Sequence, residues 1–252
     1  MQNINQTIIF IHGNSLSAAT FNNQKDLAQQ FNCIAIDLPG HGENHSLYYN
    51  EKDFCIESYV NYVVDYIGEN VAGDFILVGH SLGGHIAIEA APQLKNLKGL
   101  FVFGTPPVAK PPQLDNAFLP NPNISFLFTE ELNEEQKRTI SYDIASKNNN
   151  AELIYLELNK ANPKVRSGLA ACIGEGRHQD ELQILRTNNL PVAIIHGKYD
   201  AMINSNYFGD LSIPTLWQNK IHMIEDASHS PHLENSTEFN NLLSQFCETV
   251  FV

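Results

Sequence analysis

The chain has 252 residues, 43% of them hydrophobic, which suits one α/β domain with an insertion. Its 28 acidic residues outnumber 15 Lys and Arg, so the formal charge is −13, and no basic cluster stands out. That balance argues against nucleic acid and anionic membrane surfaces as partners and leaves a small molecule.

Thr7 to Ile11 is an isoleucine-rich run, predicted as a buried parallel strand, and it ends in His12-Gly13-Asn14-Ser15. Leu16 to Gln30 is predicted as a helix with Ala18, Phe21, Leu27 and Ala28 inward. Cys33 to Ile36 is the next strand, closed by Asp37-Leu38-Pro39-Gly40-His41-Gly42. Within Phe54 to Ile67, the residues Ile56, Tyr59, Val60, Val63, Val64 and Ile67 recur at helical spacing. Phe75 to Val78 then runs straight into Gly79-His80-Ser81-Leu82-Gly83-Gly84, and a helical pattern follows. Leu97 to Phe103 is a further strand, ending at Gly104-Thr105-Pro106-Pro107.

The rhythm breaks there. Pro106 to Pro122 is proline-rich and is predicted to lack regular structure. Thr129 to Leu185 is helical in pattern, with Asn133 and Gln136 as a capping box and further helices over Ala151 to Asn162 and Val165 to Ile173. We read 105–176 as a helical cap set into a core made of 1–104 and 177–252. Strands resume at Val192 to His196 and Ile221 to Ile224, and Thr237 to Phe246 closes the chain as an amphipathic helix. This alternation implies a mostly parallel sheet with helices on both faces. Ligands of such sheets bind at the C-terminal strand ends.

The residue types at those strand ends carry a chemistry. Gly79-x-Ser81-x-Gly83 between strand and helix fits a nucleophile elbow, where glycines let strand and helix pass closely and the serine stands exposed above a helix N-terminus. A serine hydroxyl needs a base to take its proton, and the base needs an orienting acid. Asp200 follows the strand at Val192 to His196, and His229 follows the strand at Ile221 to Ile224. His229 is preferred to His232, which sits beside Pro231, and Asp200 to Asp226, which shares the loop of His229. A developing oxyanion needs two N–H donors. The backbones of Leu82, directly after the nucleophile, and Asn14, in the loop after the first strand, are the candidates. No His-Glu-x-x-His or similar metal cluster and no glycine-rich nucleotide loop occurs, so no cofactor is expected.

The set His12-Gly13-Asn14, Asp37-Leu38-Pro39-Gly40-His41-Gly42, Gly79-His80-Ser81-Leu82-Gly83-Gly84, Asp200 and His229 resembles the α/β-hydrolase superfamily, whose triad runs in the order Ser, Asp, His. The resemblance implies that the chain starts at the family's third strand, without the usual N-terminal hairpin. Several segments also look like the metal-independent α/β-hydrolase type of N-acyl-homoserine lactonase: His12-Gly13-Asn14-Ser15, Ser81 to Ile86, Gly104 to Ala109 and Leu216-Trp217. That likeness implies lactone ring opening. A general carboxylesterase, a carbon–carbon bond hydrolase and a receptor that keeps the triad remain alternatives. In the cap, Phe118, Phe126, Phe128 and Leu132 are candidates to line an acyl pocket, and Tyr142 to bond a substrate carbonyl.

Met1 to Gln6 carries no basic leader and no apolar run is long enough to span a bilayer, so a cytoplasmic protein is expected. Cys33, Cys55 and Cys247 are accordingly expected as small core residues in a reduced compartment. The oligomeric state is left open.

Overall fold

The computed structural model describes residues 6–45 and 50–251, so most of the segment read for a leader lies outside the described residues. Six strands form one sheet: β1 (Thr7–Ile11), β2 (Asn32–Ile36), β3 (Phe75–His80), β4 (Leu97–Phe103), β5 (Val192–Gly197) and β6 (His222–Ile224). Their order is β2-β1-β3-β4-β5-β6, and every pairing is parallel.

Alternate residues of each strand point to opposite faces. Ile9, Ile11, Leu77, Leu100, Val102 and Ile194 pack on one side with helices α1 (Ile56–Asn70) and α2 (Leu82–Ala90). Ile8, Phe10, Ile76, Val78, Phe101 and Ile195 pack on the other, against Phe239, Leu243 and Phe246. Helices on both faces explain why β1, β3 and β5 read as unbroken apolar runs. Truncating Phe101, which is fully buried against Phe239 and Phe246, should cost about 3–5 kcal/mol.

Between β4 and β5 the chain inserts α3 (Leu114–Ala117), α4 (Glu134–Ile144), α5 (Asn148–Lys160), α6 (Lys164–Gly174) and α7 (Glu181–Thr187). The capping box forms as expected, with Gln136 N donating to Asn133 Oδ1 and Asn133 N to Gln136 Oε1, both at 2.9 Å. The insert is tied down by polar contacts. Arg166 on α6 is 3% exposed; it donates to the carbonyls of Thr129 and Glu130 and reaches Ser15 Oγ after β1. After β6 come α8 (Pro231–Glu234) and α9 (Ser236–Val250).

Three expectations need correction. Leu16 to Gln30 is not one α-helix but 3-10 turns over Ala18–Gln29, broken at Phe21 (φ −94°, ψ 15°), and Ala28 is exposed. The buried set is Thr20, Phe21, Gln24 and Leu27, where Gln24 bonds His232 O, so a polar side chain holds the inward face. The proline-rich stretch contains α3, which fits in the proline-free segment between Pro112 and Pro120, and leads into a 3-10 turn at Pro122–Phe128, whose proline stands in the first turn. Cys55 is no free thiol: at the start of α1 it forms a disulfide with Cys172 on α6, 117 residues on. Cys33 and Cys247 are free. Among the described residues, no helix is long and apolar enough to cross a membrane.

Candidate active site

β3 delivers the serine. Ser81 follows its last residue with φ 52° and ψ −119°, a backbone conformation costly for a non-glycine residue. The turn is held by neighbouring chain: Ser81 N donates to Phe103 O and Thr105 Oγ1 to Ser81 O, both at 2.9 Å. A Cβ at Gly79 would lie 2.5 Å from Gly83 O and Gly84 Cα, so only glycine lets the strand pass so close to α2.

The carboxylate and imidazole come from the next two strand ends. Asp200 follows β5, and its Oδ1 accepts the backbone N–H groups of Met202 and Ile203 at 2.8 and 3.1 Å. That leaves Oδ2 aimed at His229 Nδ1, 2.8 Å away, with the two side chains 0% and 3% exposed. Burial alone would raise the Asp200 pKa, but the charge and hydrogen bond of His229 outweigh it, and the carboxyl sits below its usual range. Gly104, at φ +58°, makes room for the imidazole: a Cβ there would lie 3.0 Å from His229 Cε1. His80 secures the loop, its Nε2 lying 3.0 Å from His229 O.

The rivals fall away. Asp226 is exposed. His232 is fully buried with no polar partner on either nitrogen, among the rings of Phe21, His80 and Phe103, and burial holds its pKa down at about 3.

The loop after β1 runs beside the elbow, since a Cβ at Gly13 would lie 3.3 Å from Ser81 Cβ. Two buried histidines brace it. His12 Nε2 accepts from Leu38 N at 3.1 Å, and His41 Nε2 accepts from Ser15 N at 3.0 Å. Asn14 spends its side chain elsewhere: Nδ2 donates to Leu127 O of the insert at 2.7 Å. Among the described residues, the backbone N–H groups of Asn14 and Leu82 have no hydrogen-bond acceptor.

A cavity of about 910 Å³ lies between sheet edge and insert, and Asn14, Ser81, Leu82, Gly104 and His229 all line it. Phe118 and Phe128 line it as well. Phe126 does not, being packed against the core cluster, and Leu132 is buried away from it. Tyr142 is corrected too. It is 48% exposed and donates to Asn148 Oδ1, because α4 turns Ile140, Ser141 and Ile144 inward and leaves position 142 on the outer face.

Two cavity residues, His85 and Glu181, escaped the sequence reading. The four-residue step from Ser81 to His85 was the available signal, since it sets the two one helical turn apart at the start of α2. A third, Glu234, joins the His229 loop to the insert. Its Oε2 accepts from Ser228 N and Oγ at 2.7 and 2.6 Å, and its Oε1 from Ser146 N and Oγ at 2.9 and 2.6 Å.

The chain is similar to known hydrolases along most of its length. The chain is 26% identical to the N-acyl homoserine lactonase AidH, solved in complex with N-butanoyl homoserine; the match covers 96% of this chain and 88% of that one, with a TM-score of 0.90. It is 27% identical over 248 residues to the pimeloyl-[acyl-carrier protein] methyl ester esterase of Methylococcus capsulatus, covering 95% and 93% of the two chains. The esterase of that name from Pseudoalteromonas atlantica is 22% identical over 240 residues, covering 92% and 90%. The family model of alpha/beta hydrolases matches residues 8–242, from the first strand into the last helix. By that match, and by the parallel sheet with its serine elbow, the chain belongs to the alpha/beta hydrolase family.

Proposed function

We propose that the protein is a serine hydrolase of carboxylic esters and lactones, and that opening the lactone ring of N-acyl-homoserine lactones is its reaction. The observation that carries the reading is the Asp200–His229 bond of 2.8 Å at the cavity that also holds Ser81. Residues 105–176 act as the cap over that cavity. The likeness to AidH supports the lactone, and the two methyl ester esterases support the broader ester class.

In this reading Ser81 Oγ attacks the carbonyl carbon while His229 Nε2 takes its proton. Asp200 keeps the ring's other proton on Nδ1 and stabilises the imidazolium. The oxyanion rests on the N–H groups of Leu82 and Asn14. His229 returns the proton to the leaving alkoxide, which in a lactone stays attached to the acyl-enzyme. A water deprotonated by His229 then attacks the ester carbon, and the C–O bond to Ser81 breaks as Oγ regains a proton.

The test is turnover of N-acyl-homoserine lactones of several chain lengths beside p-nitrophenyl esters, with the mass of the ring-opened acid as readout. Multiple turnovers that vanish in Ser81→Ala and persist in chelator are expected. Esters consumed while every lactone stays intact would leave the broad reading and remove the narrow one. A single covalent acylation without release would favour a receptor.

A further inference from the structure

A second polar group faces the cavity one turn along α2 from Ser81. His85 and Glu181 both line the cavity. The His85 Nδ1 lies 2.8 and 3.0 Å from the two Glu181 oxygens. Glu181 is 0% exposed and its Oε2 also accepts the N–H of Val108 at 2.8 Å, so this carboxylate is fixed from two sides. With Nδ1 committed, Nε2 is the ring's remaining polar atom, and the side chain keeps 16% exposure. Burial pulls the His85 pKa down, but the Glu181 charge and hydrogen bond outweigh it, and the net direction is upward. A buried carboxylate held on Nδ1 favours the doubly protonated ring, whose Nε2–H is a donor.

Charge selects what this donor takes. Glu181 sits against the ring, and Asp115 also lines the cavity. Lys110 keeps its charge but holds its ammonium on His178 O at 2.7 Å. A substrate carboxylate would be repelled by these two acids, whereas an uncharged oxygen would not. The His85 N–H donates to Ser81 O at 3.4 Å, so the two residues stand one helical turn apart, a span bridged by a short stretch of acyl chain.

Resting on the hydrolase reading above, we infer that His85 is a specificity residue whose Nε2 donates a hydrogen bond to an uncharged carbonyl oxygen in the acyl part of the substrate, a few bonds beyond the scissile carbonyl. Glu181 positions it. The amide carbonyl of an N-acyl lactone and a ketone on a fatty acyl chain both meet that requirement.

The experiment compares p-nitrophenyl 4-oxopentanoate with p-nitrophenyl pentanoate, two esters of equal chain length that differ in one ketone oxygen, each corrected by the Ser81→Ala rate. The wild type should favour the oxo ester roughly tenfold in kcat/KM, the effect of one charge-assisted hydrogen bond. His85→Leu should bring that ratio close to one, while His85→Gln, which keeps an N–H donor, should retain part of it. A wild-type ratio of one overturns the inference, as does a His85→Leu ratio equal to that of the wild type. If His85→Leu does not fold because Glu181 is left unpaired, the double variant His85→Leu/Glu181→Leu is read by the same criteria. Turnover of both esters with no preference removes the anchor alone; turnover of neither, above background, removes anchor and hydrolase reading together.

Discussion

Asp200 and His229, 29 residues apart in sequence, meet at 2.8 Å with both side chains shut off from solvent. Two backbone N–H groups hold one carboxylate oxygen and leave the other for the imidazole. Asp200→Asn keeps the shape but places an amide where Nδ1 needs an acceptor. We expect kcat to fall by roughly a thousandfold or more with KM little changed, read by steady-state kinetics. The lowered Asp200 pKa means this carboxylate stabilises the fold above its unfolded value and loses that contribution as pH falls through the folded one. Acid melts should show that slope in the wild type and a weaker one in Asp200→Asn.

Glu234 works one step further out. Its four accepted hydrogen bonds hold Ser228, the neighbour of His229, and Ser146 in the insert. Glu234→Ala strands two backbone donors, and a histidine displaced by about 1 Å loses on the order of a hundredfold in rate. We expect a loss of roughly tenfold to a hundredfold in kcat and a lower Tm. An unchanged kcat in a folded variant would show that the loop holds itself.

Glu89 supplies a test of sign. It is 1% exposed, and burial raises its carboxyl pKa to about 7, with Gln179 N–H opposing and Glu181 adding to the rise. The folded state therefore holds a proton that the unfolded state has lost between pH 4.5 and 7, and stability falls as pH rises through that window. Glu89→Gln can still accept from Gln179 N and never ionises. Its Tm relative to wild type should climb from pH 5 to pH 8, by the equivalent of up to about 3 kcal/mol. A difference flat with pH would place the titration elsewhere.

Cys55 and Cys172 tie the first core helix to α6 of the insert. Cys172→Ser should lower stability by about 2–4 kcal/mol under oxidising conditions and leave reduced protein nearly unaffected, read by paired thermal melts. Alkylation at lysis followed by intact mass counts the thiols present in cells. Four modified cysteines would fit the cytoplasmic expectation, and two would fit an oxidising compartment.

The alternating strands were legible because parallel strands buried on both faces leave unbroken apolar runs. β4 matches its expected bounds, Leu97–Phe103, at both ends. As candidates, Ser81, Asp200 and His229 were legible because each lies in the turn after a strand: Ser81 directly after β3, Asp200 three residues after β5 and His229 five after β6. The Ala18–Gln29 segment misled because its buried set includes two polar residues, Thr20, which bonds Ser17 O just before the segment, and Gln24, which is satisfied only by tertiary contacts. The partnership of His85 with Glu181 depends on α7 docking against α2, 96 residues along the chain, and no local pattern encodes that. Tyr142 shows the limit of choosing by residue type, since the outward face of α4 decided its surroundings.

The bridge between positions 55 and 172 closes a ring of main chain around the elbow serine and most of the insert. A protease that cuts once inside that ring severs the backbone without releasing a fragment, so nicked and intact molecules would run together on a gel until a reductant separates them.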